Sequence, residues 1–243
     1  MQLPSVRLEG AAGSHIALRP RNEDAVRALP ASGLVVLADG MGGHPGGQLA
    51  SELAVRTLTD VLGPRTPPAN PERRAQFIGA ALVRANMALR RRAPRDPQRP
   101  MATTALVFWC AAHHAAFGHV GDSRLYRLRD GLCAPLTLDH NAFGETLRAG
   151  LEPPAGPPSH LLSRALGLRE TVRPDVGWCT LRPGDRYLLC TDGLSDVLSE
   201  DDLAAILADA TSPAEAVQEL VETALLEGGA DNITAVVLEV HPR

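Results

Sequence analysis

Two short runs, residues 34–39 (LVVLAD) and 187–192 (YLLCTD), are apolar at consecutive positions and end on an acid. Side chains of a β-strand alternate between its faces, so a run apolar throughout must be covered on both sides. Further strand-like runs occupy residues 14–18, 104–110, 115–120, 125–128 and 233–240. Helical periodicity of apolar positions marks residues 48–62, 71–92 and 212–226, and a shorter helix is expected over 201–208. At the start of the third, Ser212-Pro213-Ala214-Glu215 supplies an N-cap, a proline at the first helical position and a capping-box acid. The expected fold is α+β: a four-layer α/β/β/α sandwich of two antiparallel sheets packed face to face, with helices outside.

At 243 residues the chain is long enough to bury about 70–75% of its unfolded surface as one core. A single domain over 1–243 is expected. The proline-rich segments 63–70 and 91–100 link helices without dividing it, and a Pro/Gly-rich stretch at 141–160 has the composition of a functional loop.

All 24 basic residues are arginine. Without lysine, a Walker-type phosphate loop, a kinase strand lysine and Schiff-base chemistry are excluded. A net charge of -4 provides no basic field for a nucleic-acid backbone, and neither a signal peptide nor an apolar span long enough for a bilayer is legible. The expectation is a cytoplasmic protein with no nucleic-acid or membrane partner. Cys110, Cys133, Cys179 and Cys190 are widely spaced with no C-x-x-C pair and read as reduced packing residues.

The informative feature is a series of carboxylates at the ends of apolar runs or in turns: Glu23 and Asp24, Asp39, Asp122, Asp192 and Asp196, and Asp231. Asp39-Gly40 and Asp192-Gly193 pair an acid with a glycine that lets backbone and carboxylate approach a cation together. Either pair alone reads equally as a turn dipeptide. Five separate acidic motifs, however, would repel one another unless cations neutralised them. An all-oxygen donor set favours Mg²⁺ or Mn²⁺ over zinc. Two such ions about 3.5–4 Å apart would activate a bridging water and clamp the oxygens of an in-line displacement at phosphorus. Arg19, four residues before Glu23, could grip phosphate bidentately.

The ordered motifs R-x-x-N-E-D (19–24), ADGMGGHPGGQLAS (38–51), ATT (102–104), VGDSRLYRLRDG (120–131), LTLDH (136–140), LLSRALG (161–167), GDRYLLCTDGLSD (184–196) and ADNIT (230–234) resemble the metal-dependent protein phosphatase 2C family, bacterial branch. The resemblance implies a β-sandwich flanked by helices that hydrolyses phosphoserine and phosphothreonine in proteins, the targets of serine/threonine kinases, with two Mn²⁺ or Mg²⁺ ions and a third in some members. It implies direct attack of a metal-bridging water, with no phosphoenzyme. Carried over by motif, Asp39 would bridge the two ions, Asp192 and Asp231 would complete one, and Glu23 with the Gly40 carbonyl the other. Arg19 would bind phosphate, and Asp24 would hold metal-bound water. Asp122, with Asp192 and Asp196, matches the third-metal site.

There are departures. Met41 stands where eukaryotic members carry a histidine proposed as general acid, Gln48 replaces the usual glutamate, and Ala102 the usual glycine. Residues 141–160 align with the variable flap beside the active site. His113-His114 reads as a hairpin turn, His44 as a structural loop residue, His140 as a hydrogen-bonding anchor of the flap base, and Arg90 to Arg92 as a solvated helix end. Two other readings stay open: a different two-metal phosphoesterase, and a non-catalytic phosphoprotein-binding module on the same fold.

Overall fold

The computed structural model describes residues 6–41, 45–93, 101–152 and 161–243. In chain order the elements are β1 (Val6–His15), β2 (Asp24–Leu29), β3 (Leu34–Met41), α1 (Pro45–Leu62), α2 (Pro71–Arg92), β4 (Ala102–Thr103), β5 (Ala105–Ala111), β6 (His114–Val120), β7 (Arg124–Arg129), β8 (Leu132–Pro135), α3 (Ala142–Arg148), β9 (Asp175–Thr180), β10 (Arg186–Cys190), α4 (Asp192–Ser195), α5 (Glu200–Asp209), α6 (Pro213–Leu226) and β11 (Ile233–Pro242). One sheet runs β1-β11-β10-β7-β8; the other runs β2-β3-β5-β6-β9, with β4 paired to β3. Every strand pairing is antiparallel.

The doubly apolar runs explain the layering. On β3, Val35 and Leu37 pack between the sheets with Phe108, Tyr187 and Val236, while Leu34, Val36 and Ala38 face α1 and α2. On β10, Tyr187 and Leu189 point inward, while Leu188 and Cys190 meet Leu203, Leu207 and Leu220 of α5 and α6. The result is the α/β/β/α order expected, with three apolar layers instead of one.

Several local expectations need correction. Residues 16–18 are not strand: β1 runs earlier, over Val6–His15, and the chain then turns through Ala17, whose φ is 50°. β2, β8 and β9 carry no sequence run of their own because half-exposed, mixed residues form them and their pairing partners hold them. Ser212 caps α6 by accepting from the Glu215 N–H, but Glu215 reaches back to Thr211 N rather than closing a capping box. The reciprocal box belongs to α5, between Ser199 and Asp202. All four cysteines are free thiols on strands; His113 turns the β5–β6 hairpin as read, but His114 is the first residue of β6, paired with Ala111 and Thr180. Arg90 to Arg92 end α2 in solvent. His44, residues 94–100 and residues 153–160 lie outside the described residues. No described helix is long and apolar enough to cross a membrane.

Candidate metal centre

The acids collect at one end of the sandwich because strand ends meet there. Asp24 opens β2 and sits opposite Asp39 near the end of β3. Asp122 follows β6, Asp192 follows β10, and Asp231 precedes β11. Arg19, Glu23, Asp39, Gly40, Asp122, Asp192 and Asp231 all line one cleft of about 210 Å³, along with Arg21, Thr104, Leu162 and Asn232. Two of the expected residues lie outside that lining. Asp24 lies beside Asp39 on the neighbouring strand with its Oδ1 buried, and Asp196 sits one helical turn beyond Asp192, its N–H donating to the Asp192 carbonyl at 2.8 Å.

Backbone fit positions the acids. Gly40 lies within β3 rather than in a turn, and a Cβ there would meet the Gly47 carbonyl oxygen at 2.2 Å and that of Glu23 at 2.7 Å. The glycine of this Asp-Gly pair therefore serves close packing, not a reverse turn. Asp39 is held from both sides: its N–H donates to Thr104 Oγ1 at 2.9 Å, and its carbonyl accepts from Thr103 Oγ1 at 2.7 Å and Thr104 N at 2.8 Å. Gly121, with φ 110°, turns the chain into Asp122 where any side chain would strike Thr104.

The charges are crowded. Burial, then the charge of Asp192, pushes the Asp39 carboxyl well above the usual carboxylate range. Burial pushes Asp24 up to about 7, against hydrogen bonds from Thr234 (2.6 Å) and Thr191 (3.0 Å) to its Oδ2. Asp122 is pushed up to about 8 by burial and then by Asp192, and Asp192 is raised by burial and then by Asp196. Asp24 Oδ1 and Asp192 Oδ1 are buried with no hydrogen-bond partner. Converging anionic oxygens, some without any donor, are what a hard divalent cation satisfies, so these residues fit the metals that their chemistry implies. Arg19 reaches the same cleft, its Nη2 donating to Asp231 Oδ2 at 2.6 Å.

The protein phosphatase 2C family profile matches residues 12–227. The chain belongs to the protein phosphatase 2C family. Over 228 residues it is 36% identical to the serine/threonine protein phosphatase PstP of Mycobacterium tuberculosis, covering 92% of this chain but 43% of that protein, so it spans less than half the length of this relative. Against the protein phosphatase PhpP of Streptococcus pneumoniae, identity is 31% with 86% of each chain covered. A crystal structure of the PstP catalytic domain in complex with two manganese ions superposes with a TM-score of 0.85 at 36% identity, over 97% of this chain and 99% of that one.

Around this phosphatase 2C cleft the structure adds residues that the motifs alone did not assign. Asn232 clamps the Arg19-bearing loop: its Oδ1 accepts from Glu23 N at 2.7 Å, and its Nδ2 donates to the carbonyls of Ile16 and Arg21 at 3.0 and 2.9 Å. Arg124 grips Asp139 through Nε and Nη2, the latter at 2.8 Å, and lies 3.7 Å from Asp196. His140 anchors the flap base as read. Its Nδ1 accepts from Gly121 N at 3.0 Å, and its Nε2 lies 3.2 Å from Asp175, which also binds Arg148 and Arg164. Burial, then His119 stacked at 4.4 Å, pushes the His140 imidazole down to about 3, so it is neutral. His119, His140 and Asp175 cluster, but the two guanidinium groups already neutralise Asp175, His140 Nδ1 is taken by Gly121 N, and His119 Nε2 faces the Leu138 carbonyl at 3.1 Å. The motifs ATT, VGDSRLYRLRDG, LTLDH and ADNIT carried the residues Thr103, Thr104, Arg124, Asp139, His140 and Asn232, but not the pairings Arg124–Asp139 and His140–Asp175, because each joins separate segments of the chain.

Proposed function

We propose that the chain is a metal-dependent serine/threonine protein phosphatase, with residues 1–243 acting as one phosphatase domain in the cytoplasm on phosphorylated proteins. One observation carries this reading: five carboxylates and the Arg19 guanidinium line a single cleft in which the buried Asp192 oxygen lacks a partner. Glu23, Asp39 and the Gly40 carbonyl would hold one Mn²⁺ or Mg²⁺ ion, and Asp39, Asp192 and Asp231 the other. Asp122, Asp192 and Asp196 would hold a third. When bound, the ions supply an acidified water for attack on phosphorus and positive charge for the phosphoryl oxygens.

The chain's own groups do the rest. Arg19 lies at the cleft wall with its Nη2 on Asp231, from which a planar guanidinium can turn to a substrate phosphate. Asp24, fixed by Thr191 and Thr234 through Oδ2, keeps a buried Oδ1 without a protein donor beside Asp39, where it would hold a metal-bound water. Met41 offers no proton, so the leaving alkoxide takes its proton from solvent in the cleft. A non-catalytic binding module is disfavoured because every expected ligand position keeps its acid.

The test is phosphate release from a phosphothreonine peptide with Mn²⁺, with Mg²⁺, and with EDTA. Turnover with either metal that EDTA abolishes supports the reading; no turnover by folded protein with either metal overturns it.

A further inference from the structure

Arg21 is the second guanidinium on the cleft wall, and neither the family motif nor the supports described above use its side chain. Arg21 is exposed, and its guanidinium has no hydrogen bond or ion pair among the described residues, in contrast to that of Arg19, which is held by Asp231. Its backbone is nevertheless fixed. Asn232 Nδ2 donates to the Arg21 carbonyl at 2.9 Å and to the Ile16 carbonyl at 3.0 Å, closing the loop at both ends, and Arg19 N donates to Ile16 O across the turn between them. A rigid base with an uncommitted, long cationic arm is suited to reading charge on a bound partner.

Charge balance says what it reads. On the reading proposed above, the two principal divalent ions and Arg19 already match the five carboxylates of the cleft, Glu23, Asp39, Asp122, Asp192 and Asp231, and a third ion would only add positive charge. Arg21 is then surplus positive charge at the rim of a chain whose net charge is -4. An anionic group on the substrate beside the phosphorylated residue gains there, and a basic one is repelled.

We propose that Arg21 is a specificity-determining residue of this chain: it selects phosphopeptides that carry an acidic side chain next to the phosphothreonine over those that carry a basic one. The inference rests on the phosphatase reading, and hydrolysis of p-nitrophenyl phosphate by the wild-type protein with Mn²⁺ tests that reading separately.

The experiment compares kcat/KM for two phosphothreonine peptides that differ only in glutamate or lysine flanks, with wild type, Arg21→Lys and Arg21→Glu. An exposed ion pair contributes about two- to fivefold, so wild type should prefer the acidic peptide by about that factor, mostly through KM. Arg21→Lys should keep the preference and Arg21→Glu should invert it, and both effects should shrink at about 0.5 M salt. If p-nitrophenyl phosphate is turned over but the flank preference is absent, or is the same in Arg21→Glu, the proposal is overturned. An equal loss on both peptides also overturns it, and assigns Arg21 to the transferred phosphate.

Discussion

Asp24 and Asp39 are register partners on adjacent antiparallel strands, so two buried carboxyls lie side by side with Asp192 and Asp122 close beyond them. No described arginine pairs with Asp24, Asp39, Asp122 or Asp192; Arg19 and Arg124 are committed to Asp231 and Asp139. The fold thus carries an electrostatic penalty that a divalent cation removes.

That penalty has a pH signature. Asp24 and Asp122 hold their protons up to about 7 and about 8 in the folded protein, against about 4 when unfolded. The folded state therefore binds more protons than the unfolded one across this window, and stability falls as pH rises through it. In EDTA, Tm should be lower at pH 8 than at pH 5 by roughly 5 °C or more. Mn²⁺ should raise Tm more at pH 8 than at pH 5. Thermal melts at the two pH values check this, and a Tm in EDTA that is flat or rises with pH contradicts it.

Asp39→Asn and Asp192→Asn should separate stability from function. Each removes a crowded buried charge, so the metal-free variants should melt at or above wild type. Each should also lower kcat by about 10³-fold or more, the consequence of losing several kcal/mol of transition-state charge stabilisation. Retention of a tenth of wild-type activity in either would remove that residue from the metal site.

Arg19→Ala should act on substrate binding. The Arg19–Asp231 pair is about half exposed, so its loss should change stability by less than about 1 kcal/mol. On the proposed phosphate role of Arg19, KM for a phosphopeptide should rise more than kcat falls, as loss of a bidentate contact would produce. Steady-state kinetics decide it: an unchanged KM argues against the phosphate role.

Asn232→Ala removes three hydrogen bonds that hold the loop carrying Arg19 and Glu23. At about 1 kcal/mol each, the destabilisation should be about 2–3 kcal/mol, and Mn²⁺ affinity should fall because Glu23 is no longer fixed. Urea unfolding and calorimetric Mn²⁺ titration measure the two effects. Asn232→Asp, which keeps the acceptor for Glu23 N but loses both donors, should not rescue the loop.

The sequence by itself determined the layers and the list of acids. Doubly apolar β3 and β10, and the periodic helices α1, α2 and α6, were legible because their patterns are local and their burial is nearly complete on the faces concerned. Asp39 and Asp192 were legible because each ends such a run, and Glu23, Asp24, Asp122, Asp196 and Asp231 because they recur in the ordered motifs. Tertiary structure alone decided the rest. β1, β2 and β9 have mixed, half-exposed residues, and cross-strand hydrogen bonds rather than local patterning make them strands. It also decided that Asp196 turns toward Arg124, that Asn232 clamps a loop some two hundred residues earlier, and that Arg21 is left without a partner. Those relationships join side chains far apart in the chain, and distance in sequence leaves no periodicity from which to read them.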